Sequence, residues 1–251
     1  MYKNKNFFAL IPARGGSKGL PNKNLKKIGG RSLVEWALFT AKQCDFIDHI
    51  IVSSDSKTII DKANQHGSYA PFQRPSELAE DNVPTLPVIQ HALKWIEENE
   101  NFEPHFIILL EPTAPFRLPM HIKTAVDLAI SKKDTTSVVS LLKIGDSHPV
   151  RVKKLFSDAS VHPFCIDEPE GLRRQDQEDA FIRNTATCIF NSSTIKKNQL
   201  WGSHPYGFEM DSELYGINID DKFDLFSARY LYDILKRKGL LHLIDAKSEN
   251  I

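Results

Sequence analysis

The sequence predicts an α/β protein, a single domain with a mostly parallel sheet and an inserted arm. Short apolar runs bounded by Gly, Pro or polar residues alternate with segments of helical spacing along most of the 251 residues. Such alternation is typical of βαβ units, whose crossovers make neighbouring strands parallel. The chain is 41% hydrophobic, which allows one sizeable core, or a core plus a smaller appended element.

Four apolar runs are the predicted strands of the sheet: FFALIP at residues 7–12, HIIVSSD at 49–55, HFIILLEPT at 105–113 and TSVVSLL at 136–142. A short apolar run can also be a buried helix, but β-branched residues and Gly or Pro bounds favour strands here. Two later runs, TATCIFN at 185–191 and LYGINID at 214–220, are predicted as further strands.

The segments between the strands carry apolar residues at helical spacing. Residues 32–44 place Leu33, Trp36, Ala37 and Thr40 on one face, with Ser32 as the N-cap. Further helices are predicted at residues 56–67, 85–99 and 120–132. The closing segment at 221–239 is strongly amphipathic, and we expect it to supply these side chains to the core: Phe223, Leu225, Phe226, Tyr230, Leu231 and Ile234.

Residues 145–183 interrupt this alternation. The stretch is polar, Pro-rich and only weakly alternating, so it predicts a β-arm inserted in the main domain.

Charge and cysteine content narrow the class of partner and the compartment. Lys plus Arg is 32 and Asp plus Glu is 32, so the chain lacks the basic excess that nucleic-acid or anionic-membrane binding would need. The three cysteines are far apart and not in a metal spacing, as expected of thiols in a reducing compartment. The apolar run near the N-terminus is too short for a secretory signal, and we expect a cytoplasmic protein.

The loop IPARGGSKGLPNKN, residues 11–24, follows the first predicted strand and predicts an anion site. Ligands of open α/β sheets bind beyond the carboxyl ends of strands. Adjacent Gly15 and Gly16 allow positive φ, which would turn successive N–H groups toward one point. With Arg14, Ser17 and Lys18 beside it, the loop suits a polyphosphate. The spacing fits neither G-x-x-x-x-G-K-[ST] nor G-x-G-x-x-G, so the two common phosphate loops are excluded.

The sequence resembles the CMP-sialic acid synthetase family, the N-acylneuraminate cytidylyltransferases and their nonulosonate relatives. The loop is similar to the family's opening, and IIVSSDS to its second strand exit. RPSELAEDNVPT at 74–85 resembles R-P-x-E-L-A-x-D, and LLEPTAPFR at 109–117 resembles L-Q-P-T-S-P-L-R. RRQD at 173–176 and NID at 218–220, for the family's D-x-D, complete a series that runs through nearly the whole chain.

The resemblance implies a nucleotidyltransferase domain of glycosyltransferase-A-like, Rossmann-like fold. It would join CTP to the anomeric hydroxyl of a nine-carbon α-keto acid sugar and release pyrophosphate. Mg²⁺ would be required, and a homodimer would form through the arm.

The resemblance also implies residue roles. Arg14, Ser17 and Lys18 would hold the phosphates, with Arg14, Lys18 and Asp220 taking part in catalysis. Asn24 would lie near the nucleotide, and Arg74 would reach its base or ribose. Arg173, Arg174 and Gln175 would lie near the sugar, and the remaining substrate-binding positions are Glu111, Arg117 and Asn184.

Several positions depart from the family pattern. Asn218 stands where the first carboxylate of D-x-D is expected, which leaves Asp220, with the Asn218 amide, as the Mg²⁺ ligands. Glu111 replaces the usual Gln, and could bind a sugar hydroxyl or a metal, or pair with Arg117. In NTATCIF at 184–190, Thr185 replaces Gly and Cys188 replaces Tyr, which would reshape the acceptor pocket.

The departures leave alternatives open. The acceptor could be N-acetylneuraminate, legionaminate, pseudaminate, or a deaminated or eight-carbon keto sugar. A transferase using UTP or GTP with a sugar phosphate is a second interpretation. A nucleotide-binding module without catalysis is a third, with Asn218 as the sign of a lost metal site.

Overall fold

A computed structural model describes residues 1–67, 69–145, 147–210 and 213–245, apart from the side chains of Arg174 and Glu213. In chain order the strands are β1 (Phe7–Pro12), β2 (Lys27–Ile28), β3 (Arg31–Ser32), β4 (His49–Ser53), β5 (Phe106–Leu109), β6 (Ser137–Lys143), β7 (Lys153–Leu155), β8 (Val161–Pro163), β9 (Phe181–Asn191) and β10 (Pro205–Glu209). The helices are α1 (Leu33–Ala41), α2 (Lys57–Asn64), α3 (Thr85–Asn99), α4 (Pro119–Ser131), α5 (Ser192–Lys196) and α6 (Lys222–Arg237).

The central sheet has six strands in the order β10-β6-β9-β5-β1-β4. β1 pairs in parallel with β4 and β5, and β6 pairs in parallel with β10. β9 is antiparallel to both β5 and β6. The other five strands therefore run in one direction, and the predicted α/β class with a mostly parallel sheet is confirmed.

The central strands β1 and β5 are apolar throughout because helices cover both faces of the sheet there. Along β1, Phe7, Ala9 and Ile11 pack in the core that includes α1, α2 and α4. Phe8 and Leu10 point the other way and pack against α3. This two-residue alternation between two buried faces explains why the run reads as continuously hydrophobic.

Helix α1 begins where the sequence predicts. The Ser32 N–H and hydroxyl both donate to the Glu35 carboxylate, at 2.8 and 2.6 Å, in a capping box. The predicted inward face of α1, Leu33, Trp36, Ala37 and Thr40, is buried.

The C-terminal part differs from the prediction in two respects. LYGINID is not a strand: residues Glu213–Gly216 form a 3-10 helix, and the sixth strand of the sheet is β10 instead. Phe223, Phe226 and Tyr230 are exposed rather than in the core, because α6 buries the opposite face through Leu225, Ala228 and Leu235.

The described part of the predicted arm contains a small antiparallel sheet of its own, β7 with β8, apart from the central sheet. A 3-10 helix follows at Arg174–Asp176. No described helix combines the length and the apolar character that crossing a bilayer would require.

Candidate active site

A cleft of about 230 Å³ opens beyond the carboxyl ends of β1 and β5. Its walls come from the loop after β1, the segment before α3, and the turn after β5. The side chains that matter below are Arg14, Ser17, Lys23, Asn24, Arg74, Asp81 and Glu111, all of which line it. The fold thus brings together residues that are as far apart as 97 positions in sequence.

The loop after β1 is held from both sides. The Gly15 N–H donates to the Asp55 carboxylate at 2.8 Å, and the buried Asn24 amide donates to the Arg14 carbonyl at 3.0 Å. Asn24 therefore shapes the loop as well as lining the cleft.

The predicted positive φ at the loop glycines is wrong, since neither Gly15 nor Gly16 adopts it. Close approach explains two of the loop glycines instead. A Cβ at Gly15 would lie 2.8 Å from the Ser56 Cβ, and one at Gly19 would lie 2.9 Å from the Asp220 carbonyl oxygen. The glycines let the loop pack against the start of α2 and against the Asp220 segment.

The loop cations converge on one carboxylate. Arg14 Nη1 lies 2.5 Å from Asp81 Oδ1, and Lys18 Nζ lies 2.8 Å from Asp81 Oδ2. Hydrogen bonds from Lys18 and then Arg14 hold the pKa of Asp81 below its usual range. Lys18 is 85% exposed, so Arg14 is the more firmly placed of the two cations.

Arg74 is buried and held by backbone and hydroxyl oxygens. Its Nε donates to Ser53 Oγ at 3.0 Å, and Nη2 donates to the Ser53 carbonyl. Burial lowers the pKa of Arg74, with Asp55 and Glu111 acting against that shift. Arg74 thus joins the end of β4 to the cleft wall and keeps a fixed positive charge there.

Glu111 lines the base of the cleft, and Arg117 is buried next to it without lining the cleft. Burial raises the pKa of the Glu111 carboxyl, and the positive charges of Arg117, Arg74 and Lys23 oppose the shift. Arg117 Nη2 donates to the Glu111 backbone carbonyl, and burial lowers the pKa of Arg117 to about 10. A carboxyl group with a raised pKa in a cationic cleft can exchange protons or hydrogen bonds with a bound hydroxyl group.

Asp220 stands at the cleft edge, and its two oxygens have different partners. Lys23 Nζ donates to Oδ1 at 2.9 Å, and the Asn218 amide donates to Oδ2 at 2.5 Å. Thr185 donates to Asn218 Oδ1 at 3.2 Å, so two of the departures from the family pattern touch each other. In this arrangement the amide oxygen of Asn218 faces Thr185, which leaves the carboxylate of Asp220 as the group available to a metal.

The donor set at Asp220 fits Mg²⁺ only with help from a substrate. Within the described residues no cluster of three or more His, Cys, Asp or Glu side chains could hold a metal. Mg²⁺ commonly uses one or two carboxylates together with substrate phosphates and water. Asp220 supplies one such carboxylate beside a cleft lined by cationic side chains, and the phosphates of a bound substrate would supply further oxygen ligands.

The cleft is not lined by four further residues that the resemblance assigns to substrate binding: Arg117, Asn184, Arg173 and Gln175. Asn184 is buried, where its amide oxygen accepts from Ser140 and from the Ala186 N–H. Arg173 pairs with Asp176 on the exposed arm, and Gln175 is exposed beside it. The side chain of Arg174 lies outside the described residues.

Lys23 and Asp81 are the site residues that the sequence analysis did not single out. Lys23 is one of the cations of the opening loop, and Asp81 closes the R-P-x-E-L-A-x-D block. Their positions in these two motifs could have identified them as candidate site residues. Their pairings with Asp220 and with Arg14 and Lys18 depend on tertiary structure.

Comparison with known proteins agrees with the family resemblance of the sequence. A family model described as cytidylyltransferase matches residues 8–163. The chain is 36% identical over 173 residues to CMP-N,N'-diacetyllegionaminic acid synthase of Legionella pneumophila, covering 64% of this chain and 72% of that protein. It is 30% identical over 221 residues to N-acylneuraminate cytidylyltransferase of Streptococcus agalactiae, covering 86% of this chain.

The chain spans about half the length of that streptococcal relative, 50%. Among solved structures, CMP:2-keto-3-deoxy-manno-octonic acid synthetase complexed with CTP superposes with a TM-score of 0.67 at 16% identity. That match covers 91% of this chain and 99% of the other, and at this identity it speaks for the fold.

Proposed function

Because this chain belongs to the cytidylyltransferase family, we propose that it activates a sialic-acid-like α-keto acid sugar with CTP. The anomeric hydroxyl oxygen of the sugar would attack the α-phosphorus of CTP, and the bond to the departing pyrophosphate would break. The products are a CMP-sugar, pyrophosphate and the proton lost from the attacking hydroxyl, which passes to solvent. The single observation that carries the proposal is the cationic cleft at the carboxyl ends of β1 and β5.

The cleft residues have distinct proposed roles on the nucleotide. Arg14, Ser17 and Lys18 would hold the triphosphate, since charge-assisted hydrogen bonds suit an extended anion. Arg74 would add a fixed positive charge near the base or ribose. Lys23, which is only 17% exposed, would stabilise the negative charge that develops as pyrophosphate leaves.

We propose Mg²⁺ as the cofactor, held by Asp220 and by phosphate oxygens of CTP. Bound there, it would neutralise phosphate charge during displacement of pyrophosphate. Asn218 would orient the Asp220 carboxylate through its amide N–H, and Lys23 would have to release Asp220 Oδ1 to the metal. The oxygen of Asn218 would become a ligand only after the amide turns away from Thr185.

The acceptor is proposed to be a nonulosonic acid. Two kinds of relative support this class, one named for N-acylneuraminate and one for N,N'-diacetyllegionaminic acid. Glu111, at the base of the cleft, would bind an acceptor hydroxyl.

The proposal is tested by pyrophosphate release from CTP and Mg²⁺ with a panel of nonulosonic acids and an eight-carbon keto sugar. We expect turnover with at least one nine-carbon acceptor and none when UTP replaces CTP. Turnover with UTP and a sugar phosphate would contradict the choice of nucleotide. Tight CTP binding without turnover on any acceptor would instead favour a nucleotide-binding module, as the single carboxylate at residues 218–220 allows.

We propose a homodimer formed through residues 145–183. The arm exposes large apolar side chains that favour burial against a protein surface: Leu155, Phe156, Val161, Phe164 and Ile166. A dimer would also offer Arg173 and Gln175, which do not line the cleft of their own chain, to the cleft of a partner. Light scattering on the wild type and on Leu155→Asp with Phe164→Asp tests the interface, and an unchanged dimer in the variant would contradict it.

We propose a cytoplasmic location. All three cysteines are free, two of them buried, which suits a reducing compartment. Fractionation with an antibody against the chain tests this, and recovery in a membrane or secreted fraction would contradict it.

A further inference from the structure

The cations that would hold the triphosphate already have an anionic partner within the chain. Asp81 lies between the 3-10 helix at Ser76–Leu78 and α3, far in sequence from the loop after β1. It divides its two oxygens between the loop cations, with Oδ1 at 2.5 Å from Arg14 Nη1 and Oδ2 at 2.8 Å from Lys18 Nζ. One carboxylate therefore bridges both groups.

This arrangement resembles the way a phosphate group would meet the same side chains. A phosphate also presents two oxygens about as far apart as those of a carboxylate, and it would draw on the same guanidinium and ammonium donors. Hydrogen bonds from Lys18 and Arg14 lower the pKa of Asp81 and so favour its charged form. The triphosphate and Asp81 thus compete for two cations.

We propose that Asp81 is an internal counter-ion of the phosphate subsite. It occupies Arg14 and Lys18 in the empty cleft, gives them up to the triphosphate, and takes them back as pyrophosphate leaves. The inference rests on the proposed function for the identity of the anion. It adds a residue that sets how tightly the anion is held and how readily the product is released.

The surroundings of Asp81 allow this exchange. Its side chain is 36% exposed, so water can solvate the carboxylate once the cations have moved to the ligand. Asp55 differs from Asp81, because it accepts a hydrogen bond from the Gly15 N–H at 2.8 Å and so holds the loop backbone rather than the loop cations. Asp81 can leave without dismantling the loop, because Asp55 and Asn24 hold the loop independently.

The test is calorimetric binding of inorganic tripolyphosphate to the full chain, wild type and Asp81→Asn. Loss of the competing charge is expected to tighten binding about 3- to 10-fold, the range that partly exposed ion pairs support. Glu77→Gln is the matched control, since it removes the same charge from an exposed residue of the same segment that does not line the cleft. We expect that control to change affinity less than about 2-fold, a bound set by screened long-range charge.

Equal affinities in Asp81→Asn and Glu77→Gln would overturn the proposal, and so would weaker binding in Asp81→Asn. Weaker binding would mean that Asp81 positions Arg14 and Lys18 for the ligand rather than competing with it. Thermal unfolding of each variant checks that the fold is intact.

A kinetic measurement separates this inference from the proposed function. If CTP is the substrate, Asp81→Asn should lower the KM for CTP and strengthen product inhibition by pyrophosphate by a similar factor, with a lower kcat where release limits turnover. Tighter tripolyphosphate binding by Asp81→Asn, without any CTP turnover, would support Asp81 as a counter-ion and contradict the proposed function. CTP turnover by Asp81→Asn with unchanged KM and unchanged pyrophosphate inhibition would support the proposed function and contradict the counter-ion role of Asp81.

Discussion

Gly15 is the position where the loop after β1 has least room for a side chain. A Cβ added there would lie 2.8 Å from the Ser56 Cβ, short of the 3.4 Å at which ordinary van der Waals contact begins. Ser56 cannot yield easily, because its backbone carbonyl accepts hydrogen bonds from Ile59 and Ile60 at the start of α2. Gly15→Ala must therefore displace the loop by about 0.6 Å, the difference between those two distances.

That displacement moves Arg14 and Ser17 relative to Arg74 and Asp220. Misplacement of about 1 Å in a positioned site can cost about 100-fold in rate, so roughly 10- to 50-fold is expected for this shift. The assay is kcat/KM for CTP by pyrophosphate release, with calorimetric CTP binding as a second readout. The unfolding midpoint should change little, because the loop is partly exposed.

The same contact supplies a rescue. Ser56→Gly removes the opposing Cβ and keeps the backbone hydrogen bonds, and its side chain makes no capping hydrogen bond to α2. Alone it should cost little, because Gly is tolerated at an N-cap. Combined with Gly15→Ala it should recover most of the lost activity. Gly16→Ala is the control, since its Cβ would meet nothing within 4 Å. Equal losses at Gly15 and Gly16, or a double variant no better than Gly15→Ala, would refute the steric argument.

Three further predictions concern other parts of the chain. Arg14→Ala should lower kcat/KM for CTP about 100-fold, as for loss of a preorganised donor, and near wild-type kinetics would contradict its role. Asn218→Asp should retain turnover and enlarge the rise in melting temperature that Mg²⁺ produces, because a second carboxylate then faces Asp220; loss of turnover would show that the amide has its own role. Burial acts to raise the pKa of Glu35, but hydrogen bonds from Ser32, His66 and Lys62 outweigh it and lower that pKa from 4.5 to about 2. A depressed carboxyl pKa stabilises the fold above about pH 4.5 and loses that effect as the pH falls toward 2, so Glu35→Gln should melt lower at pH 7 and show a flatter acid limb in urea titrations.

The strands of the core could be predicted because their continuous apolar pattern matches their burial on both faces in the fold. β1, β4, β5 and β6 are apolar on both faces, and the sheet buries both faces. β10 escaped prediction because Pro205 and Gly207 interrupt its pattern, which an edge strand of the sheet tolerates. Helix α6 carries apolar residues on two faces, and spacing alone does not say which face meets the core.

The sequence indicated only part of the cleft lining, namely Arg14, Ser17, Asn24, Arg74 and Glu111, and little of its geometry. The opening loop and its cations follow from sequence, since a Gly-rich exit from a buried strand has few uses. Positive φ was the wrong explanation for the loop glycines. Their close approach to Ser56 and Asp220 involves segments at least 41 residues away in sequence, which the loop sequence does not reveal. The pairing of Asp81 with Arg14 and Lys18 had no local signal at all.

The reversed direction of β9 has a consequence for the architecture of any assembly. Phe181, where β9 starts, pairs with Lys143, where β6 ends, so the chain leaves and rejoins the sheet at adjacent points. Those points are on the side of the sheet where β1 and β5 also terminate. Residues between them can be inserted, deleted or exchanged without altering the register of the central sheet, because the strands in that segment, β7 and β8, pair only with each other. A dimer formed through these residues, as proposed above, would place the subunit contact next to the cleft, and its form could change with the inserted residues while the central sheet stays the same.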